Sequence, residues 1–86
     1  MLTKFSLSSQ AEADLRYWKK SNPKIVKKIN QLVKSTLQIP FDGIGKPEPL
    51  KHLLSGYWSR RITPKDSMVY TIKEDTLVIV QLRHHY

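Results

Sequence analysis

Cysteine is absent from the 86 residues, which excludes a disulfide framework and leaves the domain to be held by its core alone. The absence is also compatible with a reducing cytoplasm. No stretch approaches the ~20 apolar residues of a membrane span. The start, Met1-Leu2-Thr3-Lys4-Phe5, lacks the apolar run of a signal peptide, so a soluble, intracellular protein is expected. Glycine is scarce, at three residues. No GxGxxG, P-loop or GxSxG pattern occurs, which leaves nucleotide-binding folds and hydrolase triads without support. Acidic residues are few: seven Asp and Glu face fifteen Lys and Arg, a formal charge of +8. A field of that sign calls for an anionic partner. Nucleic acid and an acidic protein would use it equally, and a basic face can also be merely solvated. A hydrophobic share of 40%, with two Trp, four Tyr and two Phe, can cover a small sheet with helices, and 86 residues are enough for one domain and too few for two. A single domain over residues 1–86 is expected.

Along the chain, residues 3–7 alternate weakly and read as a first strand. Ser9 followed by Glu12 has the spacing of a capping box and predicts a helix start. Ala11, Leu15 and Trp18 form its stripe, with Tyr17 beside them, and the helix should end near Lys20. Asn22-Pro23 predicts a second start almost at once, giving a helical hairpin. Ile25, Val26, Ile29, Leu32, Val33 and Leu37 keep helical spacing as far as Pro40, with Lys24, Lys27, Lys28 and Lys34 off the stripe. From Pro40 to Pro49 three prolines and two glycines allow neither a helix nor a central strand. Tyr57 to Thr63, Met68 to Lys73 and Thr76 to Tyr86 are β-rich runs parted by Pro64-Lys65-Asp66 and Glu74-Asp75, which predicts three antiparallel strands joined as hairpins. The order β-α-α-β-β-β describes an α+β domain, two N-terminal helices packed on one face of a small antiparallel sheet.

Three segments could carry chemistry. In Lys46-Pro47-Glu48-Pro49-Leu50-Lys51 a carboxylate sits between two prolines and is locally stiff, which suits a positioned base; a turn whose glutamate keeps the loop in water would look the same. In Tyr57-Trp58-Ser59-Arg60-Arg61-Ile62 the adjacent arginines point to opposite faces, so one of them can face a site. A strand guanidinium matches two phosphate oxygens but also serves as a solvated edge guard. Trp58 could stack on a base or belong to the core. The run Arg83-His84-His85-Tyr86 ends a strand in titratable and aromatic groups. Arg83 and His85 share a face, and an imidazole can protonate a leaving alkoxide; a frayed polar tail is the alternative. Adjacent His84 and His85 diverge, and no carboxylate or cysteine stands at ligand spacing, so neither a metal nor another cofactor is expected. A base, several cations, an acid and an aromatic on a small basic domain form the set that metal-free RNA cleavage requires. The 2′-hydroxyl must lose a proton, the phosphorane charge must be balanced, and the 5′-oxygen must gain a proton.

The segments Val26-Lys27-Lys28-Ile29-Asn30, Gly45-Lys46-Pro47-Glu48-Pro49-Leu50-Lys51, Leu54-Ser55-Gly56-Tyr57-Trp58-Ser59-Arg60-Arg61-Ile62 and the ending His85-Tyr86 resemble those of YoeB toxins, in the RelE/ParE superfamily. The resemblance implies a RelE-like fold and cleavage of mRNA in the ribosomal A site. It further implies neutralisation by a YefM-type antitoxin, and co-repression of the operon at operator DNA by the toxin–antitoxin pair. Carried over, the general base falls on Glu48, the phosphate-binding cations on Lys51 and Arg61, the general acid on His85 and the terminal aromatic on Tyr86. Lys46 and Arg83 are supporting RNA contacts. The ParE-like branch, directed at gyrase, fits less well because it lacks such an acid–base pair. One position departs: where the family reads His-Arg-Leu-Val-Tyr, this chain has Asp66-Ser67-Met68-Val69-Tyr70. Ser67 stands where an arginine counted among the catalytic cations is expected, on what reads as a surface strand. A hydroxyl there brings no charge, and Asp66 adds a negative one, so weaker transition-state stabilisation is expected. A binding module that has lost turnover is the rival reading.

Overall fold

The computed structural model describes residues 2–84. Strand β1 (Lys4–Leu7) leads into α1 (Ser9–Ser21) and α2 (Pro23–Gln38). Strands β2 (Glu48–Pro49), β3 (Trp58–Thr63), β4 (Asp66–Lys73) and β5 (Thr76–Gln81) follow, with one 3-10 turn at His52–Leu54. Helix α1 is capped one residue earlier than the capping-box spacing suggests. The Ser8 hydroxyl accepts the Ala11 N–H at 3.1 Å and donates to the Val80 carbonyl at 3.0 Å, so a contact with β5 decides which serine caps. Pro23 opens α2 directly after Asn22 as expected.

The sheet has the order β1-β5-β4-β3-β2. The β3–β4 and β4–β5 pairs are antiparallel, as the hairpin signals require. Strand β1 joins β5 in parallel, so the five-stranded sheet is mixed where a wholly antiparallel one was expected. A strand that must return across two helices to reach its partner leaves no local sign of direction. Strand β5 also stops at Gln81, before the expected run to Tyr86. Asp14 and Trp18 of α1 take the backbone groups of Leu82: its N–H donates to Asp14 Oδ2 at 3.0 Å, and its carbonyl accepts from Trp18 Nε1 at 2.7 Å. No ladder rung can form there.

Ala11, Trp18, Ile29, Leu32, Ile62, Met68, Tyr70, Leu77, Ile79 and Leu82 form one core between helices and sheet. Trp58 packs partly buried against it and lies 4.6 Å from Phe41 ring to ring, which settles it as core-side. Met68 and Tyr70 face the helices, so by alternation Ser67 and Val69 face the other side. Among the described residues no helix is long and apolar enough to cross a membrane.

Candidate active site

The loop from Pro40 to Gly45 is polar backbone that must be held near the core, and Arg60 holds it. This side chain is fully buried. Its Nε donates to the Tyr70 hydroxyl at 3.2 Å, and Nη1 donates to Ser35 Oγ at 2.9 Å and the Ile44 carbonyl at 3.1 Å. Its Nη2 donates to the carbonyls of Ile39 at 2.6 Å and Asp42 at 2.7 Å. The Tyr70 hydroxyl in turn donates to the Pro40 carbonyl at 2.7 Å. Burial raises the tyrosine above its ordinary pKa, against the opposing pull of Arg60. Gly45 completes the brace at φ +82°, where a Cβ would lie 2.7 Å from Leu32 Cδ2. Its carbonyl accepts the Arg61 N–H at 2.7 Å. Sequence reading assigned neither Arg60 nor Gly45 this part. A buried arginine whose partners are carbonyls and hydroxyls leaves no complementary acid to find.

So fixed, the loop delivers Glu48 to the edge of the sheet opposite Ser59, while Arg61 stands opposite Ser67. Directly paired residues share a face, so Glu48, Arg61 and Ser67 lie together on the face away from the helices. Diagonal neighbours such as Glu48 and Arg61 stand roughly 7–8 Å apart, within reach of long side chains. Glu48 and Arg61 are exposed. Lys46, left-handed at φ 50°, joins Arg61 in a cleft of ≈ 320 Å³ with Lys28, Gly45, Ile62, Thr63 and Pro64. Lys28 is a cation the sequence reading left on the outer face of α2; its place in the quoted Val26–Asn30 string was the available signal. None of the described residues lining that cleft is acidic.

Other expected contacts sit apart. Lys51 lines a separate hollow of ≈ 340 Å³ with Pro49, Leu50, His52 and Leu54. The Arg83 guanidinium lies 3.4 Å from the Tyr17 ring centroid, committed to α1 by cation–π attraction. Ser67, expected at the surface, is buried to 5% exposure, and its N–H donates to the His84 carbonyl at 3.1 Å. His85 and Tyr86 lie outside the described residues. Among the described residues no three His, Asp or Glu side chains gather as metal ligands.

A family model described as the YoeB-like toxin of bacterial type II toxin–antitoxin systems matches residues 7–86. The chain belongs to the YoeB toxin family. It is 52% identical to toxin YoeB of Escherichia coli K12 over 92% of this chain and 94% of that one. A YoeB/ParE toxin from Agrobacterium tumefaciens superposes with a TM-score of 0.94 at 39% identity, over 98% and 100% of the two chains. A YoeB dimer from Staphylococcus aureus gives 0.91 at 40% identity with both chains fully covered. The YoeB–YefM complex of that organism gives 0.89 at 42%, over 100% and 99%. The α+β architecture expected from the element order, here with a mixed sheet, therefore matches that of these YoeB relatives.

Proposed function

We propose that this toxin is a ribosome-dependent mRNA endonuclease that cuts by metal-free acid–base catalysis and so inhibits translation. The observation that carries this reading is the strand register, which puts Glu48 on the same sheet face as Arg61, a residue that also lines a cleft with Lys28 and Lys46 and no described acid. Glu48 takes the proton of the 2′-hydroxyl. Arg61, Lys46 and Lys51 balance the charge that grows on the phosphorane, and His85 returns a proton to the departing 5′-oxygen. Tyr86 orients the scissile nucleotide. The products are a 2′,3′-cyclic phosphate and a 5′-hydroxyl. A site this open lacks walls to align an in-line attack, so the ribosomal A site supplies the positioning. A YefM-type antitoxin neutralises the toxin and represses the operon with it at operator DNA, in the cytoplasm. Self-association into a homodimer is supported by the dimeric S. aureus relative. The test is toeprinting of one message, translated and untranslated, with added protein. Cuts confined to the translated message are expected; equal cutting in both removes the ribosome dependence.

A second reading rests on Ser67. Its burial and the absence of a guanidinium there favour a toxin with attenuated turnover that acts mainly by binding antitoxin, operator or ribosome. Saturating protein that protects A-site mRNA without cutting it would establish that reading over the first.

A further inference from the structure

Asp66 opens β4 where the family pattern has histidine, and a carboxylate beside the reacting phosphate would oppose catalysis. Its two oxygens are nevertheless occupied. Oδ1 accepts the His84 N–H at 2.7 Å, and Oδ2 accepts the Thr63 hydroxyl at 2.7 Å. The His84 carbonyl is also held, by the Ser67 N–H at 3.1 Å and by Gln81 Nε2 at 3.0 Å. His84 adopts φ 68°, a left-handed conformation that a histidine keeps only where its surroundings over-determine it. Both backbone hydrogen-bonding groups of His84 are thus pinned, and two of the three contacts reach it from the first two residues of β4.

We propose that Asp66 is a positioning residue: with Thr63 it clamps the His84 backbone and so fixes the point from which the chain enters His85 and Tyr86. The inference rests on the acid–base reading of the site. In this chain the residue that lowers the local positive charge contributes geometry. Thr63 orients the carboxylate, the carboxylate orients the His84 peptide, and the peptide sets the origin of the general acid. The neighbouring Ser67 contributes through its backbone N–H, which any residue but proline supplies at that position.

Asp66→Ala and Asp66→Asn separate geometry from charge. Asparagine can still accept the His84 N–H through Oδ1 and can donate to the Thr63 hydroxyl, whereas alanine can do neither. Single-turnover cleavage on programmed ribosomes is expected to fall roughly 10- to 100-fold for Asp66→Ala and to stay within about threefold of the parent for Asp66→Asn. The half-saturating ribosome concentration should not move for either. In the Asp66→Ala protein the His84 amide should lose protection from hydrogen exchange, a readout that needs no activity. If both variants cut faster than the parent, Asp66 acts through its charge and the clamp is refuted. Equal rates in all three refute it too. Should Asp66→Ala fail to melt cooperatively, Thr63→Val takes its place, with an expected several-fold loss and parental rates refuting the clamp. A parent protein that never cuts, with a His84 amide that responds as described, would sink the endonuclease reading and leave the clamp standing.

Discussion

Replacing Arg60 by methionine removes a buried cation while keeping most of its aliphatic bulk. Five hydrogen bonds disappear, three of them to the carbonyls of Ile39, Asp42 and Ile44. Bonds to a charged donor are worth about 1.5–3 kcal/mol each, but the sum overstates the loss. The Ile39, Asp42 and Ile44 residues are exposed, so their carbonyls can turn to water, and the cost of desolvating the guanidinium is recovered. The acceptors left without a donor are then the Tyr70 and Ser35 oxygens, at about 1–3 kcal/mol each, a loss of roughly 2–6 kcal/mol. Against a total of roughly 4–13 kcal/mol for a domain of this length, that is a large share. At about 4–8 °C per kcal/mol the melting temperature should drop by roughly 8–48 °C. Thermal unfolding followed by far-UV circular dichroism measures it. Arg61→Met, one residue away and exposed, is the control and should shift stability by no more than about 0.5 kcal/mol. If Arg60→Met melts within ~4 °C of the parent, the guanidinium does not hold the loop and the account of how Glu48 is positioned fails.

Glu48→Ala and His85→Ala should each lower single-turnover cleavage by about 10²-fold or more at neutral pH, and Glu48→Ala should melt like the parent because the side chain is exposed; a folded variant cutting at the parental rate overturns the acid–base assignment. Ser67→Arg should raise that rate by about 10²-fold while lowering stability by roughly 1 kcal/mol, since it buries bulk directly opposite Arg61; no gain in rate means that the vacant cation position lies elsewhere. The stability advantage of the parent over Asp66→Ala should be pH-dependent. Burial alone would raise the Asp66 pKa, but the Thr63 and His84 hydrogen bonds and the charges of His84 and Arg83 leave it below its ordinary value of 3.8. The folded value is thus the lower one, so the advantage is fully present above 3.8 and disappears as pH falls through the folded pKa. Denaturant titrations of both proteins across that range should converge at the acid end, and an advantage that grows on acidification contradicts the hydrogen-bonded carboxylate.

Helices and hairpins were legible because their signals are local: Asn22-Pro23 starts a helix by its own chemistry, and Pro64-Lys65 parts two strands by its own turn, although Asp66, expected in that turn, already opens β4. What escaped was set by distant partners. Ser8 outcompetes Ser9 as a cap through Val80, and β5 ends where Asp14 and Trp18 intercept Leu82. The site divides in the same way. Alternation alone predicts that one of Arg60 and Arg61 faces outward, and the resemblance to YoeB toxins singles out Arg61 and Glu48. Lys28 belongs to the cleft through the packing of α2 on β3, and the clamp on His84 depends on a backbone N–H that no side-chain pattern announces.

The parallel pairing of β1 with β5 also orders events in time. Ser8 and Val80 meet across 72 residues, a loop whose closure is entropically costly before the β4–β5 hairpin and the helical pair exist. The strand at the start of the chain is therefore expected to dock last, with β1 contacts largely missing from the folding transition state. Weakening β1, as in Leu7→Ala, should then leave the folding arm of a chevron nearly untouched and hasten unfolding. On that order of events the lifetime of the assembled toxin, more than the speed with which it forms, follows from its first strand.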